Sequence, residues 1–426
     1  MQKISQLIQK VARMNPATQL TLLDQAVVSG SNFLTAILIT RLAGLEEYGF
    51  FALAWMGLLL MSSLQQAFIQ APMMSLGPKK SPEDRKSYFQ HSQFLQICFS
   101  TAIFLLISPL IAKADLLLPK WKVSELYPIL PLAILAYLMQ EYYRRYFFIN
   151  SQALYALIID GISYLGMLAG ILILYFQDQL NSIHIYLVIL VSFGTAAILG
   201  FFLAKLSLKE GIAGFSSILK EHWDYASWLL GTALLQFFSS NYFLLAAAAL
   251  LGPLALGALR IAQNLLGLTH VLFQAMENVV PVKAAESYAK EGFTAMKKYL
   301  MKLSLRSGMV VLGILLLLAL SAKMVLGLVY GAEYESYAYL LMGYCLFYLS
   351  LFPGYPLRYA LRSIEHTRPI FISYVLSTAF SLLLAFPMVK RWELTGVVAG
   401  LILTQILMQS VYLLSLRKFQ KRTLQA

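Results

Sequence analysis

Arg41-Leu-Ala-Gly44-Leu-Glu-Glu-Tyr-Gly49-Phe-Phe-Ala-Leu-Ala54 returns 208 residues later as Ala249-Leu-Leu-Gly252-Pro-Leu-Ala-Leu-Gly257-Ala-Leu-Arg-Ile-Ala262. The glycine pairs coincide, and so do the closing alanines. Pro72 recurs as Pro281, Arg145-Tyr146 as Arg358-Tyr359, and Ser207-Leu208-Lys209 as Ser415-Leu416-Arg417. Each match is weak alone, but together they recur in the same order at offsets of 208 to 213 over about 200 residues. Each copy joins two long apolar runs, where paired glycines permit a tight turn and close helix contact.

Outward from these hairpins, the apolar runs predict spans at Gln19–Leu42, Tyr48–Pro72, Gln93–Ile111, Leu126–Ile149, Ala153–Phe176 and Ile183–Ala204 in the first half. The second half predicts Tyr225–Leu251, Leu254–Val282, Ser307–Leu328, Tyr337–Leu361, Ile370–Val389 and Leu394–Leu416. A polar linker, Lys205 to Asp224, separates them, and a comparable amphipathic stretch, Lys283 to Arg306, precedes the ninth span. An even number of spans per repeat inserts both copies the same way up, with a pseudo-two-fold axis along the membrane normal. The expected fold is an all-α membrane protein of about twelve transmembrane helices in two parallel six-helix lobes, residues 1–208 and 209–426, around a central cavity.

Composition agrees. Of 426 residues 59% are hydrophobic and only 12% charged, with a mean hydropathy of +0.69. A soluble domain carries about twice that charge. Twelve spans of roughly 20 residues consume about 240, which leaves short loops and no sizeable soluble domain. The N-terminal stretch Met1 to Gln19 is polar and amphipathic and lacks a cleavage-site pattern, so the first span is expected to act as its own insertion signal. Cys98 and Cys345 lie far apart within apolar runs and read as small core residues.

The net charge of +13 invites a nucleic-acid reading, but its distribution sets orientation instead. With a cytoplasmic N-terminus, 25 of the 33 Lys and Arg fall in cytoplasmic segments and seven at outer ends and loops, Arg260 being intramembrane. That asymmetry predicts a multi-pass protein with both termini cytoplasmic and no nucleic-acid partner. Two outer clusters, Lys113–Lys122 and Lys390-Arg391, run against the trend.

Ionisable groups inside a membrane are costly and mark candidate sites. In span eight, Arg260, Asn264, Gly267, His270, Gln274, Glu277 and Pro281 recur every three or four residues, a single polar face. Such a stripe is expected to meet another polar helix or water. Span two offers Ser62, Gln66 and Gln70, span one Asp24, Ser31 and Thr35, and span seven Gln236, Ser240 and Asn241. In span four Glu141 and Arg145 are an i, i+4 pair beside Arg144. With Arg358 and Arg362 they form a basic cytoplasmic rim. Asp160 lies about 10 Å along span five at 1.5 Å per residue. It is a candidate for a coupling proton or cation, or else a partner for Arg145 or a neighbouring helix.

The first hairpin resembles that of polysaccharide exporters of the multidrug/oligosaccharidyl-lipid/polysaccharide (MOP) exporter superfamily, which includes lipid-linked oligosaccharide flippases. The pattern is an Arg, then Leu-Gly, an acid, Tyr-Gly and an aromatic. A proline often follows the first glycine there, where this chain has Leu45 in one copy and Pro253 in the other. The resemblance implies that helices one, two, seven and eight line the central cavity. Substrate contacts would then be Arg260, Asn264, His270, Gln274, Gln66, Gln70, Asp24 and Asn241, with Asp160, Glu141, Arg145 and Arg358 serving ion coupling or gating. Arg260 would meet the diphosphate of a polyprenyl-linked oligosaccharide through bidentate hydrogen bonds, its alternative role being to hold helices together.

The implied function is transport of such a precursor across the bacterial inner membrane by alternating access, with membrane lipid and a coupling proton or sodium as partners and no cofactor. An ion-coupled multidrug exporter of the same superfamily is the alternative. A sugar polymerase or ligase fits less well, because the outer loops are short and P-loop, GxSxG and HExxH motifs are absent, so no enzyme is expected. The major-facilitator class shares the topology, but Gly77-Pro-Lys-Lys-Ser-Pro-Glu-Asp-Arg-Lys lacks its glycine-arginine loop context.

Overall fold

The computed structural model describes residues 15–116, 121 and 123–425, and among them there is no β-strand. The helices are α1 (Pro16–Ala43), α2 (Leu45–Lys79), α3 (Pro82–Ala112), α4 (Ile129–Ile149), α5 (Ala153–Phe176), α6 (Ser182–Ala204) and α7 (Phe215–Leu251). They continue as α8 (Pro253–Asn264, then 267–291), α9 (293–320), α10 (Ala338–Leu351, then Gly354–Ser363), α11 (368–392) and α12 (394–425). Nine continuous stretches among the described residues are long and apolar enough to cross a membrane. Two of those stretches are each divided by a kink, at Gly292 (φ 78°) and at Glu393 (φ 49°). With α4, whose charged residues Glu141, Arg144 and Arg145 set it apart, the described chain has twelve long helical segments, the number expected. The protein is thus an all-α, multi-pass membrane protein.

The repeated hairpins fold identically. Gly44 has φ 93° and ψ 169°, and Gly252 has φ 90° and ψ −170°. Gly44 N–H donates to Thr40 O at 3.2 Å and Tyr48 N–H to Gly44 O at 3.1 Å. In the second copy Gly252 donates to Ala248 O at 3.1 Å and Leu256 to Gly252 O at 3.3 Å. One residue therefore turns each hairpin, in a backbone region essentially reserved for glycine.

By compactness the chain divides into Met1–Ala233 and Leu234–Ala426. In the first unit, α4 packs along α6, and Tyr142, Tyr143, Tyr146 and Phe147 of α4 anchor a core with Tyr88 and Phe89 of α3. Toward the expected outer end, Phe51 stacks between Trp55 and Tyr186, at 5.6 and 5.7 Å, and the Tyr186 hydroxyl donates to Phe51 O at 2.8 Å. At the opposite end His222, fully buried, ties α7 to α2 and α3. A carbonyl only accepts, so Nδ1–H donates to Phe68 O at 3.0 Å, which leaves Nε2 to accept from the Tyr88 hydroxyl at 2.9 Å. Beside it Lys80 pairs with Glu221 at 2.7 Å and lies 5.3 Å over the Tyr88 ring.

Glu47 of the first hairpin has a specific task. Its carboxylate accepts the Ser182 N–H at 2.8 Å and the Ser182 hydroxyl at 2.5 Å, while Asn181 accepts from His184 N–H at 3.0 Å. Two otherwise orphaned donors of α6 are satisfied this way, and a carboxylate suits the positive end of a helix. Glu47→Ala is expected to cost about 1 kcal/mol, as lost caps do, measured by thermal unfolding of the purified protein in detergent. A loss no larger than that of exposed Glu46→Ala would remove this role.

In the second unit, α7 and α12 approach closely, since a Cβ added to Gly400 would lie 1.9 Å from the Phe243 ring. Polar cross-links join the helices further along: Thr378 donates to Leu235 O at 3.0 Å, and Gln409 to Ser350 O at 2.5 Å. Cys345 is buried and Cys98 half-buried, both as free thiols.

Candidate functional site

Helix α4 carries Gln140, Glu141, Arg144 and Arg145 on adjoining faces, and in the first unit α1, α2 and α5 meet these side chains. Arg144 is the hub. Its Nε donates to Asp160 Oδ2 at 2.5 Å, and its Nη2 donates to Asp24 Oδ2 at 3.0 Å. Glu141 Oε1 lies 3.7 Å from Nη1, one turn away on the same helix. Gln140 Nε2 donates to the second oxygen of Asp160 at 2.6 Å. The Arg144 side chain is 15% exposed, against 2%, 6% and 0% for Asp24, Glu141 and Asp160. A planar guanidinium can bridge two carboxylates on different helices while touching a third, as a Lys ammonium cannot.

Arg145 points elsewhere and donates from Nε to Gln70 Oε1 of α2 at 3.3 Å. Three acids therefore share a mostly buried region with two arginines, one positive charge short of neutrality. Asp24 Oδ1 and Gln140 Oε1 are buried acceptors without a hydrogen-bonded donor. Such atoms are costly unless a proton, a cation or water meets them.

Two π-helical turns border this cluster. Gln66–Gln70 interrupts α2 and ends on the Arg145 partner, while Gly161–Leu165 interrupts α5 directly after Asp160. Single π turns are enriched at functional positions, because the extra residue re-aims the side chains beside it.

In the second unit the span-eight stripe is divided. The helix breaks between Asn264 and Gly267. Before the break Arg260 donates to Gln263 Oε1 at 2.8 Å, and Asn264 Nδ2 donates to the Tyr330 hydroxyl at 2.9 Å. After it Gln274 is exposed. Glu277 receives Arg358 Nη2 at 2.8 Å and also Arg362. Arg358 further lies 5.0 Å over the Tyr355 ring. The side chain of His270 lies outside the described residues.

Thus Asp24, Glu141 and Asp160 come together on Arg144 in the first unit, with Arg145 paired to Gln70 beside them, and Arg358 meets Glu277 in the second. Gln66 is exposed, and Asn241 donates to Phe237 O within its own helix at 3.0 Å. The repeat extends to these links, since Arg145 and Arg358 each reach back from α4 and α10 to α2 and α8 of their own unit. Arg144 is not part of a basic rim but is turned inward onto acids. Gln140 escaped the sequence reading, and Arg144 was placed there only in the rim. Their i, i+4 spacing was the available signal, but it does not reveal which arginine of an adjacent pair turns inward.

No family model and no curated protein matches the sequence. Solved structures do match. The chain is similar to an inward-facing MATE-family multidrug resistance transporter of the MOP superfamily, with a TM-score of 0.75 at 12% identity over 93% of this chain and 95% of that one. It is also similar to the lipid II flippase MurJ in an inward closed conformation, with a TM-score of 0.70 at 14% identity over 94% and 87%. A MOP superfamily transporter from Pyrococcus furiosus matches with a TM-score of 0.63 at 14% identity over 96% and 97%. At these identities the likeness shows the fold, which is that of MATE and MurJ transporters.

Proposed function

We propose that this protein moves a polyprenyl-diphosphate-linked oligosaccharide across the bacterial inner membrane by alternating access of its lobes, residues 1–208 and 209–426, coupled to a proton or sodium ion. The observation that carries the coupling is the Asp24–Glu141–Arg144–Asp160 cluster. It is short of one positive charge even with Arg145 counted, and it holds two buried acceptors lacking donors. A single proton or monovalent cation supplies the missing charge and meets the Asp24 acceptor, and its arrival or departure changes how firmly α1, α4 and α5 are clamped. Asp24, expected on its helix face to touch substrate, is engaged by Arg144, and we assign it to coupling with Asp160, Glu141 and Arg145.

The anionic cargo is supported by the hairpin's resemblance to polysaccharide exporters, by the fold shared with a lipid II flippase, and by the intramembrane Arg260. Asn264, His270, Gln274, Gln66, Gln70 and Asn241 complete the proposed polar path. An ion-coupled multidrug exporter is the second reading, favoured by the fold shared with multidrug transporters.

The test is flipping of a fluorescent polyprenyl-diphosphate oligosaccharide in proteoliposomes under imposed proton or sodium gradients. Arg260→Ala should reduce the rate at least about tenfold, the worth of one charge-assisted hydrogen bond, while insertion stays normal. Arg260→Lys should be partly active, and Asp160→Asn should move substrate without response to the gradient. Unchanged flipping by Arg260→Ala would sink the assignment of that residue. Gradient-driven export of cationic dyes with no lipid movement would establish the multidrug reading instead.

A further inference from the structure

A groove of about 550 Å³ lies within the second unit between α9, α10 and α12, within the size range of small-molecule pockets. Its walls are apolar, among them Leu300, Leu305, Phe352, Leu357 and Leu413. The break in α10 at Phe352 and Pro353 forms part of its lining. Its polar floor is already engaged, since Gln409 donates to Ser350 O at 2.5 Å and Ser304 to Leu300 O at 2.6 Å. Such walls take hydrocarbon.

The charge is at one end only. Lys297, in the first turns of α9, and Arg417, near the end of α12, both line the groove and are both exposed. Phe293 and Phe419, with ring centroids 5.7 Å apart, show that the start of α9 lies beside the end of α12. From Lys297 to Leu305, and from Arg417 back to Gln409, the groove runs about 12 Å at 1.5 Å per residue. One leaflet's share of a 30 Å hydrocarbon core is about 15 Å. The groove is therefore nearly as long as one leaflet is deep, and with its cations at the level of the headgroups it spans most of that leaflet. The asymmetry of Lys and Arg assigns that end to the cytoplasm.

We propose that the groove is a binding site for one anionic glycerophospholipid of the cytoplasmic leaflet. An acyl chain lies along α9, α10 and α12, and the phosphodiester is held between Lys297 and Arg417. Basic pockets between helices at this depth hold anionic headgroups in the same manner. The site does not depend on the transported substrate, and its test does not involve transport.

The full-length protein, purified from proteoliposomes of equal phosphatidylglycerol and phosphatidylcholine, is examined by native mass spectrometry for the lipid it retains. Each cation near a headgroup is worth roughly fivefold, so the pair should favour phosphatidylglycerol about thirtyfold at low salt. Lys297→Gln with Arg417→Gln should bring that preference to within about twofold while a phospholipid is still retained. Ser304→Phe, which fills the groove and leaves the cations, should lose the retained lipid of either kind. Thermal unfolding confirms that both variants are folded. Equal retention of the two lipids by the unaltered protein would overturn the proposal, as would an undiminished preference in the charge variant or full retention by Ser304→Phe.

Discussion

Arg144→Met should destabilise the protein by about 3–5 kcal/mol, the cost of stripping the partner from a buried ion pair. Methionine keeps the aliphatic stem and removes the guanidinium, so the loss is chiefly electrostatic. Without the guanidinium, Asp24 and Asp160 face each other across α1 and α5, with Glu141 as a third acid and no direct counter-charge. The diagnostic result is the rescue. Adding Asp24→Asn and Asp160→Asn to Arg144→Met removes the uncompensated charge and should recover most of the stability, because neutral polar groups of the same shape cost far less to bury. Arg144→Lys should fall between, since one ammonium cannot bridge both carboxylates. Thermal unfolding in a single detergent orders the four proteins. An Arg144→Met protein as stable as the parent, or a triple variant no better than the single one, would show that Arg144 does not hold the cluster.

The second large effect is expected at the hairpin glycines. Gly44→Ala and Gly252→Ala should each cost about 1–3 kcal/mol. A Cβ at either position meets nothing within 4 Å, so the whole effect is backbone strain. The two residues belong to different compact units, and their costs should add in the double variant. Asparagine separates this explanation from an ordinary helix-terminating glycine. It tolerates the left-handed helical region, but ψ near 170° is far from that region. Gly44→Asn should therefore be as harmful as Gly44→Ala. Near-wild-type stability of the asparagine variant would contradict the strain argument.

These glycines also show how much of the fold could be read in the sequence. The matched Gly44 and Gly252 registered the duplication, and the structure gives them the same dihedral angles and the same pair of hydrogen bonds. Existence and order of the twelve spans followed from hydropathy, because a helix crossing lipid must satisfy its own backbone and expose apolar side chains. Helix ends did not follow. Span seven was expected from Tyr225 but its helix begins at Phe215, and span nine was expected from Ser307 but is helical from 293. Both extensions are amphipathic and continue beyond the apolar stretch that hydropathy detects. His222 illustrates the cost of that blindness, since it fell in the linker yet is buried against Tyr88 and Phe68. Within the candidate site, Asp160, Glu141 and Arg145 were legible as charges out of place in lipid. That Arg144 is the hub was not, because neighbouring residues on α4 differ by about 100° in direction, and only the packing of α1 and α5 selects between them.

The π turns in α2 and α5 bear on how proteins of this shape diverge. Each turn houses one residue more than the α-helical path around it requires. Deleting a single residue within 66–70 or 161–165 lets the backbone revert to regular α-helix without losing a span and without turning the helix beyond it, whereas in regular α-helix the same deletion turns everything beyond by about 100° and shifts it by about 1.5 Å. Elsewhere in a membrane helix a one-residue deletion throws every later side chain onto the wrong face, while here the same event releases an existing phase error. Single-residue gaps between distant homologues should accordingly collect at these two places, and alignments that forbid gaps inside transmembrane segments will misregister Gln70 and Asp160 against their true counterparts.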